Sequence, residues 1–61
     1  MKFTVKQARE YAGLTQQQMG EFLGIGRDTY AKREANPGTF TVDQGKIIAE
    51  KTGVPMDAII F

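Results

Sequence analysis

The stretch that most constrains this chain is Leu14 to Glu34, LTQQQMGEFLGIGRDTYAKRE, which reads as two short helices with a glycine at their join. Gly24 stands five residues after Met19 and six before Tyr30. A chain that leaves one helix and enters another at a steep angle needs a residue there that tolerates positive φ. Gly20 falls inside the first helix, where glycine costs ~1 kcal/mol relative to alanine. A missing side chain at that position lets the second helix approach closely.

Three segments open with the same device: Thr4-Val5-Lys6-Gln7, Thr15-Gln16-Gln17-Gln18 and Thr41-Val42-Asp43-Gln44. Each is a capping box, in which the Thr hydroxyl accepts from the third helical N–H and the Gln side chain reaches back to the cap. Helix one is expected from about Val5 to Ala12, helix two from Gln16 to Leu23, and helix four from Val42 to Thr52, ending at Gly53. A third helix, Arg27 to about Ala35, is capped more weakly by Gly26 and stopped by the turn chemistry of Asn36-Pro37-Gly38. A short fifth helix, Met56 to Ile60, is expected after Pro55. No segment sustains period-two alternation, and Thr39 to Val42 reads as extended loop. With no internal repeat or linker, residues 1–61 are expected to form one all-α domain of five compact helices.

At helical spacing, Val5, Ala8 and Ala12 form one apolar stripe, Met19, Phe22 and Leu23 another, and Val42, Gly45, Ile48, Ala49 and Thr52 a third. Leu14, Ile25, Tyr30 and Val54 complete the expected core. A chain of 61 residues buries roughly 60% of its unfolded surface, so function has to be carried outside a thin core. Ile47 points nearly opposite the core stripe of helix four.

Cysteine and histidine are both absent. No disulfide frame or thiolate metal site is available, and the commonest general base and metal ligand is missing. The carboxylates are scattered over helical surfaces, and Gly24-Ile25-Gly26 lacks the lysine and strand context of a phosphate-binding loop. Neither catalysis nor a metal or cofactor is therefore expected. No apolar run approaches the ~20 residues of a membrane span, nor does the N-terminus resemble a secretion signal. A full-length, cytoplasmic protein is expected. Net charge is only +1, divided as +2 over residues 1–34 and −1 over residues 35–61, which favours bound phosphate near the two-helix segment over general polyanion binding.

Two short helices around a turn glycine, the second opening on Arg27, form the helix-turn-helix signature. Leu14 to Glu34 resembles the lambda-repressor and Cro-type family, also called the XRE family, of bacterial and phage regulators. Gly20, Gly24, Met19, Leu23, Ile25 and Tyr30 all match its pattern. The resemblance continues through Thr41 to Phe61, with the Gly53-Val54 junction at the family's fourth and fifth helices. It implies a lambda-repressor-like fold and double-stranded DNA as partner. By position it implies that Gln16 contacts backbone phosphate and braces the recognition helix, with Gln17 beside it. Arg27, Asp28, Thr29 and Lys32 would face the major groove or its phosphate walls, and Asn36 and Thr39 would lie in a phosphate-meeting loop. Arg9 and Glu34 match a structural ion pair. The chain departs from the pattern at Arg33, where the family places an apolar or aromatic residue: either the arginine turns outward as another DNA contact or the helix frays there. Pro55 also replaces the usual Ser or Thr cap of the last helix.

The residue chemistry bears on the same assignments. An arginine at the start of a recognition helix can form a bidentate pair with guanine worth ~1–3 kcal/mol of discrimination. Asp28 can accept from a cytosine amino group or simply complement the helix dipole. Free N–H groups at the start of helix two suit a phosphate oxygen, and Thr39 is a candidate hydroxyl donor. Ile47, Ile59, Ile60 and Phe61 are more apolar than the chain's end needs. Those that do not close the core form a candidate two-fold interface, which would set two recognition helices about 34 Å apart. The expected function is a Cro-like repressor acting as a homodimer, without a small-molecule substrate. The alternative is a protein-interaction module, an antitoxin or adaptor, using the same fold.

Overall fold

The computed structural model describes residues 2–61. In chain order the elements are β1 (Phe3–Thr4), α1 (Val5–Tyr11), α2 (Gln16–Leu23), α3 (Arg27–Ala35), a 3-10 turn (Pro37–Thr39), α4 (Val42–Thr52), a second 3-10 turn (Met56–Ala58) and β2 (Ile59–Ile60). All three capping boxes form as read. Thr4, Thr15 and Thr41 each accept from the N–H three residues on, and Gln7, Gln18 and Gln44 each accept from the cap N–H. Helix α1 stops one residue earlier than expected, with Ala12 as its C-cap.

Gly24 closes α2 at φ +72°, in the left-handed region that favours glycine. Its N–H bonds to the Glu21 carbonyl, and the Ile25 N–H follows to Gly20. The chain is thereby turned into α3, whose cap Gly26 supplies no side-chain bond. The Thr39 to Val42 segment is not uniformly extended, since Thr39 ends the 3-10 turn and Val42 already begins α4.

The expected fifth helix does not form. Pro55 offers no capping side chain, so Met56–Ala58 makes a single 3-10 turn. The β-branched Ile59 and Ile60 then extend and pair in parallel with β1, Phe3 opposite Ile59 and Thr4 opposite Ile60. The described residues form four α-helices, with the two ends of the chain joined by this two-stranded ladder.

Val5, Ala8, Met19, Tyr30, Ile48, Val54 and Ile59 form the buried core, with Leu14, Leu23, Ile25, Phe40 and Ala49 packed against it. Ile59 therefore does not belong to an exposed interface: the ladder turns it inward. Ile47 is half-buried, while Ile60 and Phe61 are exposed. Two expected core residues lie outside. Val42 is 67% exposed because it occupies the first position of α4, beyond the reach of the other helices. Phe22 sits at the edge of its stripe and is capped by the Lys51 ammonium, 4.9 Å above the ring centroid. Tyr30, Phe40 and Phe61 follow one another at 5.8 and 6.5 Å between rings, linking α3 to the C-terminus.

Candidate nucleic-acid interface

Helix α3 separates its side chains by helical spacing. Tyr30 and Glu34 are buried, Ala31 and Arg33 half-buried, and Arg27, Asp28, Thr29 and Lys32 exposed. The residues expected to face a major groove thus share the open side of a helix whose other side is fixed in the core. Within the first turn, Arg27 Nη2 lies 3.3 Å from Asp28 Oδ1, a pair open to solvent on both sides. Neither helical periodicity nor the dipole argument separates this neighbour pairing from a free acid; adjacency was the only signal.

The base of α3 is held by a polar cluster. Arg9 donates from Nε to Glu34 Oε2 at 2.9 Å and from Nη2 to Oε1 at 3.2 Å, a two-pronged pair, while Nη1 donates to the Leu14 carbonyl at 2.8 Å. The two side chains are 11% and 4% exposed. Gln16 Nε2 donates to the same Glu34 Oε1 at 3.3 Å, so the first residue of α2 braces α3 through its amide. Burial alone would push the Glu34 carboxyl up. The hydrogen bonds from Arg9 and Gln16 and the Arg9 charge, with the Tyr30 phenol nearby, outweigh it and hold the carboxyl below its ordinary value. Bonding to Glu34 chiefly raises the Arg9 guanidinium. Burial, then the adjacent carboxylate, pushes the Tyr30 phenol well above its ordinary value.

The expected contact residues other than Asp28 gather in two open grooves. One is lined by Arg9, Leu14, Thr15, Gln16, Gln17 and Arg27, at the start of α2. The other is lined by Thr29, Lys32, Arg33, Asn36 and Thr39, at the end of α3. In the second groove the hydroxyl of Thr39 donates to the Asn36 carbonyl at 2.7 Å. In this arrangement its proton is directed into the turn, toward a partner within the chain that the sequence pattern did not show. Arg33 neither swings free nor frays the helix. Its Nη1 donates to the Thr39 carbonyl at 2.8 Å, and its Nε is buried without a partner. Sequence reading left the role of this residue open, and its departure from the family pattern was the available clue.

Among the described residues, no helix is long and apolar enough to cross a membrane, and no group of acidic residues is placed to hold a metal ion. A family model described as helix-turn-helix matches residues 5–59. No curated protein and no solved structure matches the chain.

Proposed function

Because the chain belongs to the helix-turn-helix family of XRE and Cro type, a family of DNA-binding domains and not of enzymes, we propose that it is a sequence-specific transcriptional regulator of the Cro kind. The observation that carries this reading is the exposed row Arg27, Asp28, Thr29 and Lys32 on a helix anchored from behind by Arg9 and Glu34. Base readout falls to Arg27, Asp28 and Thr29. Backbone anchoring falls to Lys32, Asn36 and the Gln16–Gln17 start of α2. It acts in the cytoplasm, repressing by occupation of a promoter.

The regulator binds as a homodimer on a two-fold-related operator. Support comes from an apolar groove lined by Phe40, Val42, Gly45, Met56 and Phe61, beside Ile60, which is 50% exposed. The proposed interface is revised accordingly: Ile60 and Phe61 remain, Val42 and Met56 join them, the core residue Ile59 leaves, and half-buried Ile47 lies outside this groove. The same apolar surface favours the second reading, a module that holds a protein partner in the manner of an antitoxin or adaptor.

Selection from a randomised double-stranded DNA library, followed by sequencing, tests the first reading. Enrichment of a two-fold-related motif, lost in Arg27→Ala, is the expected result. A folded protein that enriches nothing, or an Arg27→Ala variant that selects the same motif, overturns it in favour of the interaction module. Sedimentation with and without the selected duplex tests the dimer, which a strictly one-to-one complex on one half-site would exclude.

A further inference from the structure

Tyr30 is wholly buried on α3, and its hydroxyl has no hydrogen-bond partner there. The side chain is therefore held by packing and not by a directed bond. Part of that packing is the Phe40 ring, 5.8 Å away between centroids and tilted by 46°. Phe40 in turn meets Phe61 at 6.5 Å with the rings at 82°, the edge-to-face arrangement that aromatic quadrupoles favour.

The two outer members of this row are fixed differently from its middle. Phe40 follows Thr39, whose carbonyl accepts from Arg33 Nη1 at 2.8 Å, and its own N–H donates to the Pro37 carbonyl at 3.2 Å. Its backbone is thereby tied to the last turn of α3. Phe61 is 41% exposed and follows the two-residue ladder. What seats its ring is the missing side chain of Gly45 on α4: a Cβ there would lie 3.3 Å from Phe61 Cζ and 3.0 Å from Met56 Cε. Glycine is a poor helix former, and the backbone does not demand it here, since Gly45 has no positive φ. The notch serves the ring.

We propose that Phe61 is a positioning residue for α3: seated in the Gly45 notch, it holds Phe40 against Tyr30 and so fixes the angle at which α3 presents Arg27, Asp28 and Thr29. Resting on the DNA-binding reading, this gives Phe61 a task inside one copy of the chain, separate from any contact between copies. A small change in helix pose misplaces contacts to base edges, whereas phosphate attraction carries no sequence information. The effect therefore falls on sequence preference.

The probes are a duplex carrying one half of the selected motif, which a single copy occupies, and a scrambled duplex of the same length. Phe61→Ala and Gly45→Ala are compared with the native chain at a temperature where denaturation curves show all three folded. Gly45→Ala keeps the ring but fills its notch, and the atoms it meets are the far ends of two side chains. Alanine also suits a helix better than glycine, so a loss of recognition in this variant does not come from a weaker α4. Both variants should lower the ratio of half-site to scrambled affinity by about two- to tenfold, the range that one aromatic pair supplies. Adding Phe61→Ala to Phe40→Leu should lower the ratio little further, because the two act through one contact. Without DNA, amide exchange should quicken in the last turn of α3 relative to α2.

An unmoved half-site ratio overturns the assignment, and a loss confined to the complete two-fold motif leaves Phe61 to the contact between copies. Additive losses in the double variant, or exchange that quickens equally in α2 and α3, overturn it as well. If the native chain binds no duplex at all, the DNA-binding reading fails separately, and the exchange pattern alone decides whether Phe61 positions α3.

Discussion

Gly20 faces the carbonyl oxygen of Ile25 so closely that a Cβ on Gly20 would lie 3.0 Å from it, with the Gly26 carbonyl oxygen at 3.3 Å. Both obstacles are backbone, belonging to the turn that aims α3. Helix propensity favours alanine over glycine here by ~1 kcal/mol, but the overlap can be relieved only by moving the turn, and overpacking of this kind costs ~1–3 kcal/mol. Gly20→Ala should therefore lower stability and loosen DNA binding together. A denaturation midpoint equal to or above that of the native chain would show that the turn yields without strain.

Removal of Arg9 leaves Glu34 buried with only the Gln16 amide and the Tyr30 phenol near it. Breaking a desolvated pair of this sort costs ~3–5 kcal/mol, whereas exchanging both partners for packed apolar residues is often neutral. Arg9→Ala should unfold or severely destabilise so small a domain. The double variant Arg9→Met with Glu34→Leu should recover most of the loss, as read by chemical denaturation. Equal destabilisation in both would mean that the charges supply net stability beyond their mutual compensation.

Acid should act through the same carboxylate. The folded pKa of Glu34 lies below its unfolded value, so the unfolded chain binds the extra proton and stability rises with pH through that window. Its contribution is complete above the ordinary glutamate value near ~4.3 and is lost as pH falls through the lower folded value. Tm measured from pH 7 downward should drop in that acid range, and the drop should be shallower in Glu34→Gln. Identical profiles for the two chains would assign acid unfolding to other groups.

Arg27 and Asp28 are coupled at 3.3 Å in the open, and a solvent-exposed pair of this kind is worth ~0–1 kcal/mol to folding. Its larger effect should be on recognition. Asp28→Asn should leave the folding free energy within about 0.5 kcal/mol of the native chain's, strengthen binding to mixed-sequence DNA by releasing Arg27 and removing a negative charge, and broaden the selected motif. Weaker binding to every sequence would instead make Asp28 a necessary partner for the arginine's pose.

The amino-acid sequence by itself determined the features that depend on neighbours along the chain. Each capping box joins atoms three residues apart, so Thr15 and Thr41 started α2 and α4 where the pattern placed them. Gly24 had to supply the left-handed turn because no distant contact is needed to require it. The family pattern likewise marks Arg9 with Glu34, and the exposed row on α3.

Tertiary structure decided what depends on residues far apart in sequence. Ile59 and Ile60 have a helix-compatible neighbourhood, yet their backbone groups find Phe3 and Thr4 across nearly the whole length of the chain and extend to meet them. Phe22 lies outside, and what stands over its ring is Lys51 of α4, far along the chain. The closing of the turn by Thr39 and Arg33 has the same origin. A hydroxyl carries one proton, and whether it meets a phosphate or the Asn36 carbonyl depends on how the turn closes after α3. Local pattern sets where helices begin and turn; nonlocal packing allots the remaining donors, and thereby which side chains are left to bind.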